Sequence, residues 1–130
     1  MGHAYSPPGY VRKAYIAEKP GCYPAVRFRY RRMSAFEGMI LIGECENITT
    51  KERIALEFTA IANHLIDWDI TGPDGEAIPV TRENLERLDN YYLYIKILNI
   101  VKGWEGGDVD PETGVADPSG AADEKNSEPG

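Results

Sequence analysis

Residues 25–32 read AVRFRYRR, with Val26, Phe28 and Tyr30 alternating with Arg27, Arg29 and Arg31. A period of two puts the apolar side chains on one face and the arginines on the other, and so predicts a strand. Residues 10–17, YVRKAYIA, carry β-branched and aromatic residues in looser alternation and predict a second strand. Lys19-Pro20-Gly21 lies between them as a turn, so the two runs make a hairpin with a longer loop.

The period then changes. Ser34 with Glu37 fits a capping box and opens a short helix to about Glu46, with Phe36, Met39, Ile40 and Gly43 on one face. Thr49 with Glu52 fits a second capping box. The helix after it runs to about Leu65, on a stripe of Ile54, Phe58, Ile61 and Leu65. Residues 66–71 are a short extended piece around Trp68. The Gly72-Pro73-Asp74-Gly75 run is a turn in which Gly75 permits the reversal. Thr81 is a good N-cap for a third helix that continues to about Lys102 and stops at Gly103. Leu88, Tyr92, Ile95 and Asn99 form the stripe of that helix expected to face the core. Tyr91, Tyr94, Leu98 and Val101 lie round toward another side, as the candidate protein-binding row, to be covered by a second copy or by a client helix.

The fold class this implies is α+β: an N-terminal β-hairpin followed by three helices. Residues 1–104 form a single domain in which 1–9 are loose. After Trp104 the composition turns to Gly, Pro, Asp, Glu, Ser and Ala, and residues 105–130 read as a disordered acidic tail. Hydrophobic residues make up 42% of the 130, enough for a core. The tail holds eight acids against one base, and so carries the whole net charge of −7, whereas residues 1–32 hold seven bases and one acid. No run approaches the roughly 20 apolar residues of a membrane span, and the first nine residues lack a signal-peptide pattern, so a cytoplasmic location is expected.

Candidate chemistry is sparse. No phosphate-binding glycine loop and no C-x-x-C or H-x-x-x-H pair occurs. Cys45, His64 and Asp67 offer a nucleophile, a base and an orienter without a supporting motif. His64, Asp67 and Asp69 are a thin metal set, and the two aspartates more simply bracket Trp68 in a turn. Asp108, Asp110 and Glu112 imitate a calcium loop but lack its glycine and its closing glutamate. No catalytic residue, metal or cofactor is therefore expected. Arg27, Arg29, Arg31 and Arg32, interleaved with Phe28 and Tyr30, are the candidate nucleic-acid surface, with the acidic tail as an intramolecular competitor. The alternation argues against this, because it assigns the aromatics to the core.

Residues 65–88, LIDWDITGPDGEAIPVTRENLERL, resemble a segment of the phage tail assembly chaperones. There a helix ends in a Leu-x-x-Trp-Asp stretch, followed by a Gly-containing turn, an apolar-Pro-apolar-Thr lead and a helix that begins Glu-Asn-Leu. The matching positions are Leu65, Trp68, Asp69, Gly75, Pro79, Thr81, Glu83, Asn84 and Leu85. The order of elements is similar over about residues 25–102. The resemblance implies a non-enzymatic assembly factor of a phage or prophage, working in a bacterial cytoplasm. Its partners would be a tape measure protein and tail-tube subunits. Independently of the resemblance, Trp68, Gly75 and Thr81 have structural roles: the indole is expected to plug the gap between two helices.

Overall fold

The computed structural model describes Pro7 and residues 9–116; the expected looseness of residues 1–6 and the disorder of 117–130 lie outside the described residues. The chain is mixed α+β. Strands β1 (Arg12–Ile16) and β2 (Val26–Tyr30) form the antiparallel hairpin, with Ala14 opposite Phe28 and Ile16 opposite Val26. Helices α1 (Ala35–Glu44) and α2 (Thr50–His64) follow, each opened by a complete capping box at Ser34–Glu37 and Thr49–Glu52. Each box satisfies two backbone amides that the first helical turn would otherwise leave unpaired.

The extended piece around Trp68 is a third strand, β3 (Leu65–Trp68), added antiparallel to β2, so the sheet order is β1-β2-β3. Trp68 therefore stands in the sheet opposite Phe28 and not between two helices, and its indole N–H donates to Ile78 O at 2.6 Å. Gly75, at φ +84°, closes the following turn by donating to Gly72 O at 2.9 Å. Thr81 caps the next helix, its hydroxyl accepting from the Asn84 amide.

Beyond Thr81 the expected single helix is two. Helix α3 (Arg82–Glu86) ends at Arg87, and α4 (Tyr91–Lys102) begins anew after Asn90. The reason is local: Asn90 Oδ1 accepts from the amides of Tyr92 and Leu93 at 2.8 and 3.2 Å, a cap that competes with helix continuation. The break resets the phase of α4 and exchanges its two faces. Leu93, Tyr94, Ile97, Leu98, Ile100 and Val101 are buried, while Tyr91 and Tyr92 are 69% and 65% exposed. Tyr94, Leu98 and Val101 are thus core residues, and of the row expected to meet a partner Tyr91 alone is exposed. Tyr94 stacks on Phe58 at 4.4 Å, and burial, then the nearby charge of Glu57, hold its hydroxyl pKa well above the ordinary value.

The buried face of the sheet (Ala14, Ile16, Val26, Phe28, Tyr30) and the helices share one core with Leu41, Ile61, Leu65, Leu85 and α4. After Gly103, a left-handed C-cap, the chain does not become a tail at once. It returns along β1, where the Asp108 amide donates to Tyr15 O at 2.7 Å and Asp108 Oδ2 accepts from the Ala17 amide at 2.8 Å. Gly107 makes the approach possible: a Cβ there would lie 2.9 Å from Tyr15 O. A small hairpin, β4 (Val109–Asp110) and β5 (Val115–Ala116), completes this strap. Residues 105–116 therefore belong to the folded body, because backbone pairing along an open sheet edge replaces the apolar burial that the segment lacks.

Candidate functional site

Two surfaces carry the residues of interest: the arginine face of β2 and the outward face of α1. On β2, alternation sends Arg27 and Arg29 away from the core, and both are met by carboxylates. Arg27 Nε and Nη2 each donate to Asp110 at 3.0 Å, with Glu112 3.3 Å from Nη2. Arg29 pairs with Asp67 on the neighbouring strand through Nε and Nη2. Each fork matches a carboxylate edge on, the geometry in which guanidinium pairs are strongest. Asp110 and Asp67 are held below the usual carboxylate range first by these hydrogen bonds. Arg31 donates to Asn63 O at 3.2 Å, and the Arg32 stem lies against Gly103. The four arginines are on one stretch of chain, but they do not present a shared cationic surface. Arg27 also lies over the Tyr15 ring at 4.7 Å, and with the strap it buries that outward-facing tyrosine.

The enzyme-like set is dispersed by its contacts. His64 is occupied at both nitrogens, Nδ1 being 2.8 Å from Ala60 O and Nε2 3.2 Å from Glu37 Oε2. Asp67 is committed to Arg29, Asp69 to the Arg27 amide, and Cys45 lines a groove beside α1. Among the described residues, no group of three His, Cys, Asp or Glu side chains is placed to hold a metal ion.

Helix α1 turns its apolar face outward. Phe36, Met39 and Ile42 are 73%, 73% and 67% exposed, Ile40 is 47% exposed, and Leu41 alone is buried. At 100° per residue, these exposed positions sweep roughly 160° of the helix, an arc with no charge in it. The sequence carries the pattern of an amphipathic helix; what it does not carry is the direction in which the apolar face points. Here the sheet and α4 already fill the core, so α1 contributes one leucine and turns its wider apolar face to solvent. Beside it runs a groove of about 610 Å³, walled by Met33, Met39, Ile42 and Trp104 with Arg53, Glu57 and Lys102 at its charged side. Trp104 is 70% exposed and stands over Lys102, whose ammonium also donates to Glu57 at 2.9 Å. Arg53 has no side-chain partner among the described residues.

The sequence singles out the arginine face but not the outward face of α1. The clue to α1 was its composition: ten residues, AFEGMILIGE, with one acid near each end and no base. The clue to the strap was Gly106-Gly107 ahead of the alternating acids. No helix among the described residues is long and apolar enough to cross a membrane. Comparison with known families, with curated proteins and with solved structures finds no match to this chain, so the geometry of these two surfaces carries the functional argument.

Proposed function

We propose that the protein is a non-enzymatic binding module that captures a partner's amphipathic helix on the outward face of α1. The observation that carries this reading is the exposed apolar arc of Phe36, Met39, Ile40 and Ile42 beside a groove closed by Trp104. An apolar face of this kind, rimmed by charge, is what helix-in-groove recognition uses. The order of elements over residues 25–102 and the LIDW…TRENL segment give the reading its context. The protein would act as an assembly factor of the phage tail chaperone kind, in a bacterial cytoplasm, with tape-measure-like or tail-tube proteins as clients. The arginine face supports a nucleic-acid role less well, since Arg27 and Arg29 are spent on carboxylates within the chain.

The test is capture of a fluorescently labelled helical tape-measure segment, followed by anisotropy. Binding should be lost in Ile42→Asp, which touches an exposed side chain, and kept in Tyr91→Asp, on the other exposed patch. Equal binding by Ile42→Asp and the parent would reject the α1 face as the site.

A further inference from the structure

Resting on that reading of the α1 face, we propose that without a client the face is covered by a second copy of this chain. The protein then rests as a two-fold dimer closed over its own groove and exchanges its partner copy for a client. Three observations converge on a second copy.

The first is area. Phe36, Met39, Ile40, Ile42 and Trp104 together expose on the order of 600 Å² of side chain, as large as the largest patch of an ordinary monomer and near the ~800 Å² that each partner contributes to a standard interface.

The second is the support of α1 itself. Gly38 and Gly43 lie inside the helix with open space around them, and each weakens it relative to alanine. Leu41 is the helix's one buried residue. Short helices take most of their stability from packing an apolar face, and the face that α1 packs within the monomer is its minor one.

The third is charge, and it selects the occupant. Glu44, without a side-chain partner among the described residues, follows Ile40 at one edge of the apolar arc. Arg53, without a side-chain partner among the described residues, lines the groove at the opposite edge, where Lys102 is already paired with Glu57. A two-fold axis running along α1 brings Glu44 of each copy to Arg53 of the other. An isologous interface requires this self-complementarity, whereas a client of one charge would satisfy only one edge.

Sedimentation velocity on the full chain between about 1 and 100 µM, where interfaces of modest area associate, should show a monomer–dimer equilibrium. Ile42→Asp should be monomeric throughout, with the circular dichroism spectrum of the parent. Arg53→Glu should weaken the dimer by about tenfold through like-charge contact with Glu44, and Glu44→Arg in the same chain should restore it. A monomer at every concentration, or a dimer that survives Ile42→Asp, overturns the proposal. The two readings fail separately. A dimer that captures no client helix keeps this proposal and removes the client. A monomer that captures one keeps the client and removes the dimer.

Discussion

Arg27 and Arg29 show how one residue type changes meaning with its neighbours. In the sequence they are two of four arginines among aromatics; in the fold they are forks closed on Asp110 and Asp67. The alternation of β2 made the split between arginine and aromatic faces legible, because period two is a property of the backbone. The identity of the carboxylates was not legible, since Asp110 is 83 positions from Arg27 and no local rule relates them. These pairs predict an acid limb of stability. Asp67 and Asp110 are held below 3.8 first by hydrogen bonds from Arg29 and Arg27. Glu37 and Glu52 are held below 4.5 first by the backbone amides of Ser34 and Thr49. For a carboxylate whose pKa is lower folded than unfolded, the stabilisation is complete above the unfolded value and is lost as pH falls through the folded one. The thermal midpoint should therefore hold from neutrality to about pH 5, then fall steadily below it. Arg29→Gln should lower the plateau and flatten the part of the limb that belongs to Asp67. An acid limb of the same slope in that variant would show that the pair is too well solvated to matter.

Helix α4 buries the face that its pattern set outward, and α1 exposes the apolar face that its pattern left without a direction. Both capping boxes, the left-handed stop at Gly103 and the turn at Gly75 follow from residue chemistry acting over four or five positions, and each stands where the sequence puts it. The two helices have different causes. Asn90 ends the phase of α3 and starts another, so a stripe counted through it from Leu88 to Asn99 joins two unrelated faces. A moment gives the width of an apolar face, and only the neighbours say whether that face is covered. The exchange has a direct energetic consequence. Leu98, buried at 5%, should cost about 2–5 kcal/mol when truncated to alanine. Ile42, 67% exposed, should change the stability of the isolated monomer by no more than about 0.5 kcal/mol under the same truncation. Urea unfolding at a concentration low enough to keep the protein monomeric measures both. Similar values for the two would mean that α1 packs inward and that the partner surface lies elsewhere.

In the whole molecule, the strap explains how a neutral body and an acidic end belong to one fold. The sheet has β2 at its centre, so β1 would be an open edge presenting unpaired backbone groups to any passing strand. Residues 105–116 cover part of it. Asp108 bonds Tyr15 and Ala17, Asp110 and Glu112 meet Arg27, and Lys96 of α4 lies within 4 Å of both Glu105 and Asp108. Composition gave the right account of why such a segment makes no core of its own. It said nothing of whether an edge elsewhere would accept it. The prediction is a comparison of two truncations. A chain ending at Ala116 keeps every contact described here; a chain ending at Trp104 loses the strap, uncovers Tyr15 and leaves Arg27 unpaired. Exposing much of one aromatic ring is worth about 1–3 kcal/mol, so the shorter chain should melt at least about 5 °C below the longer one. Because Arg27 alone is freed while Arg29 stays on Asp67, any gain in affinity for single-stranded DNA should be slight, with the shallow salt dependence of about one phosphate contact. Gly107→Ala in the longer chain should move both properties the same way, since the added methyl meets the Tyr15 carbonyl and lifts the strap without removing a charge. Equal melting of the two truncated chains would show that the strap is not part of the cooperative unit, and the arginine face would then have to be judged as an open one.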